Sequence, residues 1–230
     1  MHIFVLTLFP EMFSSPFSYS ILKRAQEKKL LQIELVNIRD FSTDRYQTVD
    51  DKPYGGGRGM ILRVDVIDKA LNFAKNKIAR TASCRTILLD PKGTGFTQSY
   101  AWQLGSIENV ILICGRYEGV DARVYKLVDE SVSIGHYVVS GGELPAMVMV
   151  DAVARLIPGV LGKADSNLDE SFATDQYLEY PQYTRPAVYK KFRVPKTLLS
   201  GNHEKINRWR KNKSTYSKTK SLRVENAVTE

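Results

Sequence analysis

Four stretches of the chain gather residue types that could hold a small ligand or act on one. Three are glycine clusters that follow short aliphatic runs: Asp90-Pro91-Lys92-Gly93-Thr94-Gly95, Gly115-Arg116-Tyr117-Glu118-Gly119, and Gly135 to Gly142. Lacking a Cβ, glycine lets the backbone come close to a ligand, and open α/β sheets bind ligands in loops outside the carboxyl ends of their strands. One cofactor pocket built from three loops is the expectation, with three unrelated tight turns as the alternative. The fourth stretch, Thr48 to Met60, packs four glycines beside Asp50, Asp51 and Tyr54. It fits either a substrate pocket or a flexible hairpin. Asp151 and Arg155 stand four residues apart, a spacing that serves a working pair or a surface ion pair worth a few tenths of a kcal/mol.

The familiar nucleotide signatures are missing. Neither a G-x-G-x-x-G fingerprint nor a G-x-x-x-x-G-K-[ST] phosphate loop can be placed, which disfavours dinucleotides and nucleoside triphosphates. His2, His136 and His203 are isolated and no paired C-x-x-C occurs, so a structural zinc is not expected. Cys84 and Cys114 fall in or beside apolar runs, where cysteine serves as a small hydrophobe, and a reducing cytoplasm is the expected home.

The elements that must position these loops alternate. Strand-like runs cover Ile3 to Leu8, Gln32 to Ile38, Thr86 to Asp90, Val110 to Cys114 and Ser131 to Ile134. Helical periodicity covers Ser18 to Lys29, Val64 to Lys75, Thr97 to Leu104 with Thr97 as N-cap, Asp121 to Val128, and Glu143 to Ile157. Helical crossovers between strands imply an α/β fold with a mostly parallel sheet and helices on both faces. The apolar segment Leu144 to Ile157 is too short for a bilayer and carries Asp151 and Arg155, so no membrane span is expected. Met1 to Leu8 lacks a basic leader and a cleavage site and is expected to be the first strand.

Polar, acidic residues from about 162 to 178 break the alternation and suggest a flexible linker between a domain over 1–161 and a small helical one over 179–230. Ser200-Gly201-Asn202-His203 opens a helix there. The net charge of +8 is uneven: residues 1–182 hold 20 Lys and Arg against 22 Asp and Glu, residues 183–230 hold 13 against 3. Tyr183, Tyr189, Phe192, Trp209 and Tyr216 interleave with those cations, a pattern suited to a polyanion, with a basic disordered tail as the alternative.

Several long motifs carry a resemblance: Leu8-Phe9-Pro10-Glu11-Met12-Phe13, Thr48-Val49-Asp50-Asp51, Pro53-Tyr54-Gly55-Gly56-Gly57, Cys114 to Gly119, Ser140 to Pro145, Asp151-Ala152-Val153-Ala154-Arg155, Ile157 to Gly162, Tyr183-Thr184-Arg185-Pro186 and Leu199 to His203. Across nearly the whole chain these resemble the bacterial tRNA (guanine-N1)-methyltransferases, the TrmD family. The resemblance implies a SPOUT-type trefoil knot, an obligate homodimer, a tRNA substrate methylated at the guanosine 3′ of the anticodon, and S-adenosylmethionine held in the knot. It places the cofactor against Leu88, Leu89, Asp90 and Pro91, against Gly115, Tyr117 and Glu118, and against Ile134, Gly135, His136, Tyr137, Val138, Val139, Gly141, Gly142 and Pro145. Arg155 matches the family's catalytic arginine. The family's basic aspartate aligns with Glu170 in Asp169-Glu170-Ser171-Phe172, so that either Glu170 is the base or Asp169 takes the role by a one-residue shift. His136 and Arg58 also depart from the family pattern, standing where an aspartate and a proline are usual. Mg²⁺ is implied too, with Glu118 and Glu170 as candidate ligands. The competing readings are a SPOUT enzyme acting on another RNA and a tRNA-binding protein without catalysis.

Overall fold

A computed structural model describes residues 1–161, 170–174 and 176–216, and the chain divides into two compact units, Met1–Ala164 and Asp165–Glu230. Expectations that fall on Asp169, Gly162 and Asp175 lie outside the described residues.

The first unit runs β1 (His2–Thr7), α1 (Ser20–Glu27), β2 (Gln32–Asn37), β3 (Asp50–Asp51), β4 (Ile61–Leu62), α2 (Val64–Asn76), β5 (Cys84–Gly95), α3 (Gln98–Gly105), β6 (Asn109–Cys114), β7 (Glu130–Ser133) and α4 (Glu143–Ala154). Five strands form one sheet in the order β2-β1-β6-β5-β7, and all four neighbouring pairs are parallel. The short β3 and β4 pair separately as a hairpin.

Parallel strands covered on both faces read as continuous apolar runs rather than alternating ones, and β1 (His-Ile-Phe-Val-Leu-Thr) is of that kind. Its alternate residues divide between two cores: Ile3 and Val5 join a layer with α1, α3 and α4, while Phe4 and Leu6 join a layer with α2. Helix α2 turns Val66, Ile67, Ala70, Leu71 and Ala74 inward, one stripe at helical spacing. Thr97 caps α3, its hydroxyl accepting from the Tyr100 N–H at 3.2 Å, a cap worth about 1 kcal/mol.

Two elements differ from the sequence reading. Asp121 to Val128 forms a 3-10 helix over Ala122–Lys126, with the Asp121 carboxylate accepting from the Arg123 N–H. Strand β5 runs on through Pro91 and Gly93 to Gly95, because it meets β7 twice: Leu89 and Thr94 both face Val132, and the residues between them bulge out. Gly93 has no room for a side chain there, since a Cβ would sit 2.6 Å from the Ser131 carbonyl oxygen.

The second unit is built from short pieces. Strand β8 (Tyr177–Leu178) pairs with β11 (Thr215–Tyr216), β9 (Val188–Tyr189) pairs with β10 (Phe192–Arg193), and α5 spans His203–Lys213. Asn202 caps α5 by accepting from the Lys205 N–H at 3.0 Å. The unit gathers Trp209 edge-on to Tyr180 and Tyr183, with Arg210 over Tyr180. Residues 170–174 and 176–178, expected in the linker, fold back as a turn: Phe172 N–H donates to the Tyr177 carbonyl, and Glu179 N–H, just beyond, to the Ser171 hydroxyl.

Candidate functional site

The Asp90–Gly95 bulge within β5 and the glycine loops that follow β6 and β7 enclose one cavity of about 250 Å³. Fourteen of the sixteen residues singled out for cofactor contact line it, from Leu89, Asp90 and Pro91 through Gly115, Tyr117 and Glu118 to Ile134–Val139, Gly141, Gly142 and Pro145, with His136 excepted. The two absentees have simple reasons. Leu88 points to the opposite sheet face and belongs to the α2 layer, as strand alternation requires, and His136 is exposed at the tip of its loop.

Sequence reasoning missed what holds the loops together. Gly142 N–H donates to the Gly115 carbonyl at 2.8 Å, and Arg116 forms an isolated antiparallel bridge with Gly141. Glycine is required at Gly142 because a Cβ would lie 2.6 Å from the Cys114 Cα. Beneath this contact Glu143 is almost wholly buried, only 1% exposed. Its carboxylate accepts from the Thr7 hydroxyl at 2.8 Å and from Arg116 Nε at 3.0 Å. Arg116 also donates to the Ser140 carbonyl at 3.2 Å and stacks over Phe9. A buried carboxylate needs such partners, and the latch joins the end of β1, the β6 loop and the β7 loop. The signal was present as an acid opening the apolar helix Glu143-Leu-Pro-Ala-Met-Val-Met-Val, a position where an unpaired charge is not tolerated.

At the cavity wall Tyr117 holds a left-handed backbone, φ 59°, costly for a residue with a side chain and characteristic of sites where geometry is imposed by function. Asp90 accepts from the Tyr125 hydroxyl at 2.7 Å and from the Lys92 N–H at 2.7 Å. Burial and then this carboxylate push the Tyr125 phenol well above its ordinary value, so Tyr125 stays a donor that orients Asp90. The Thr48–Met60 stretch is a hairpin based on β3 and β4 and tied to the cavity: Glu118 N–H donates to the Met60 carbonyl and Leu62 N–H to the Gly119 carbonyl. Tyr54 at its tip is fully exposed.

The donor set suits a nucleoside carrying a charged tail. Leu89, Val132, Ile134, Val138 and Pro145 offer apolar surface for a base, and Asp90 and Glu118 offer carboxylates to hydroxyl or ammonium groups. Among the described residues, no group of three or more His, Cys, Asp or Glu side chains could hold a metal ion. Arg155 is half-buried as the C-cap of α4, with Asp151 exposed one turn earlier. Glu170 opens the turn described above in the second unit, its carbonyl accepting from the Ala173 N–H. No helix among the described residues is long and apolar enough to cross a membrane.

Comparison with known proteins agrees with the geometry. A family model described as tRNA (Guanine-1)-methyltransferase TrmD matches residues 1–227. A Pelotomaculum thermopropionicum protein named tRNA (guanine-N(1)-)-methyltransferase is 54% identical over 93% of this chain and 85% of its own length. Relatives of the same name from Syntrophomonas wolfei, 52% identical over 93% of this chain and 85% of theirs, and Dictyoglomus turgidum, 49% identical over 98% and 91%, extend the likeness. A match of that length, over a chain whose three glycine loops close on one cavity, places this protein in the tRNA (guanine-1)-methyltransferase TrmD family.

Proposed function

We propose that the chain methylates N1 of the guanosine 3′ of the anticodon in tRNA, with S-adenosylmethionine as donor, working as a homodimer around a SPOUT-type knot. The observation that carries this reading is the convergence of three parallel-strand loops on one cavity, in a chain of that family. The close seating of Gly93 on β7 and of Gly142 on the β6 loop supports a chain threaded tightly through itself at this point. Helix α4 is largely apolar, and Leu144 and Val148, each 48% exposed and followed on the same face by the exposed Asp151, give it an outward face suited to a second copy.

Bound S-adenosylmethionine would supply an electrophilic methyl on a sulfonium and leave as the neutral thioether. Leu89, Ile134 and Pro145 would offer its adenine apolar surface, while the carboxylates of Asp90 and Glu118 would receive its polar groups. The protein's remaining task is at guanine, where N1 carries a proton at neutral pH. A carboxylate of Glu170 or Asp169 accepts that proton as the N1–carbon bond forms, a contribution of about 10²–10⁴-fold. The fixed charge of Arg155 offsets the negative charge that develops on O6. The base must leave its stack to reach the methyl.

Primer extension on unmodified tRNA incubated with protein and S-adenosylmethionine tests the reading, because a methyl on N1 blocks Watson-Crick pairing. The expected result is a cofactor-dependent stop at the nucleotide 3′ of the anticodon. Read-through at that position with a stop elsewhere, or with none, rejects it.

A further inference from the structure

The second unit carries a hairpin that methyl transfer leaves unexplained. Strands β9 and β10 pair with Tyr189 opposite Phe192 and Val188 opposite Arg193, which makes Lys190 and Lys191 the turn. Directly opposed residues of an antiparallel pair share a face, so both side chains leave the same face of the hairpin, next to its turn of two lysines. The Val194 N–H donates to the Ala187 carbonyl at 2.9 Å and continues the pairing beyond the strands. Both rings face solvent, Tyr189 at 61% and Phe192 at 65% exposure. Lys190 Nζ lies 5.5 Å from the centre of the Tyr189 ring and Lys191 Nζ 5.9 Å from that of Phe192.

Two large rings left outside while Tyr180, Tyr183 and Trp209 cluster together show that the hairpin is not aromatic for the sake of a core. Residues 180–203 contain five Lys and Arg and no Asp or Glu, so no carboxylate of that stretch competes for the turn lysines. Aromatic faces alternating with uncompensated cations are the composition of a surface that stacks bases and neutralises phosphates. An apolar protein partner would need the rings but not the acid-free charge.

We propose that the β9–β10 hairpin is a stacking platform for unpaired nucleotides of the RNA substrate. Tyr189 and Phe192 each take the face of one base, and Lys190, Lys191 and Arg193 meet the flanking phosphates. This rests on the reading that tRNA is the substrate and adds where unstacked bases are held.

The test uses the full chain and unmodified tRNA, with affinity followed by fluorescence anisotropy over a range of KCl. Tyr189→Leu/Phe192→Leu keeps strand-forming apolar side chains but removes both π faces. It should weaken tRNA binding by about fivefold or more per ring with an unchanged slope of log affinity on log salt, whereas Lys190→Gln/Lys191→Gln should lower that slope by about one to two. Tyr189→Trp/Phe192→Trp should restore affinity. Cofactor affinity and melting temperature, measured on every variant, should stay at wild-type values. Leucine variants that bind tRNA as tightly as wild type, while wild type methylates normally, overturn the platform alone. Light scattering that shows the leucine variant dissociating into single chains would assign the hairpin to a contact between copies and also overturn it. A wild-type chain that neither binds nor methylates tRNA removes the functional reading and the platform together.

Discussion

The three-loop cleft and the β9–β10 hairpin handle positive charge in opposite ways. At the cleft Arg116 is held on one side by the buried carboxylate of Glu143 and on another by the Ser140 carbonyl. Nearby, Arg63 and Arg123 are paired with Asp65 and Asp121. Those cations are structural: Arg116 ties two loops together, and Arg63 and Arg123 each close a local turn onto an acid two residues away. In the second unit the hairpin and α5 present Lys190, Lys191, Arg193, Lys205, Arg210 and Lys211 with few acids nearby in sequence. The contrast separates preorganisation, which needs paired and desolvated charge, from capture of a polyanion, which needs unpaired and hydrated charge.

Four measurements press on that contrast. The largest effect should come from Arg116→Met, which leaves Glu143 buried with Thr7 as its remaining side-chain partner. Removing one member of a buried pair costs about 3–5 kcal/mol, readable in urea unfolding, and the double change Arg116→Met/Glu143→Leu should recover much of it. A loss under about 1 kcal/mol would mean that the latch is not structural. Next, Glu170→Gln should slow single-turnover methyl transfer by about two orders of magnitude or more while tRNA affinity holds. A larger loss in Asp169→Asn would assign the base to Asp169 instead. Third, Gly142→Val should weaken S-adenosylmethionine binding up to about a hundredfold, since overpacking against backbone costs about 1–3 kcal/mol. Unchanged calorimetric affinity in that variant would move the cofactor out of the cleft. The smallest effect is expected for Lys211→Gln on α5, a fewfold loss of tRNA affinity with the salt slope reduced by about one. Cofactor affinity should barely respond to salt in any variant, and a steep salt dependence there would erase the distinction between the two regions.

How far the sequence reveals this molecule differs along the same line. The sheet was legible because fully buried parallel strands such as Val110 to Cys114 are unbroken apolar runs, and Thr97 and Asn202 announced their helices by capping chemistry. Gathering the glycine loops needed only the rule that parallel strands open their ligand sites at one end. Three things were not legible from periodicity. The doubled pairing of Val132 with Leu89 and Thr94 depends on a bulge that follows no sequence period. The partners of Glu143 lie 136 and 27 residues away, beyond any local pattern. The shared face of Tyr189 and Phe192 depends on a turn of two lysines, with Lys190 at φ 54°, where glycine or asparagine would have marked a hairpin plainly.

The hydrogen bond from Thr7 to Glu143 also sets an order of assembly. Of the five strands in the sheet β1 is made first, yet it lies inside the sheet between β2 and β6, and β6 begins over a hundred residues later. At translation rates of about 5–20 residues per second, an almost wholly apolar strand waits several seconds beside β2 with its other edge open. The cleft itself cannot close until Glu143 has left the ribosome. Nascent chains of this protein thus pass through a stage at which an apolar inner strand is exposed and the cleft does not yet exist, so protection by a chaperone matters early and stabilisation by a ligand of the cleft only late.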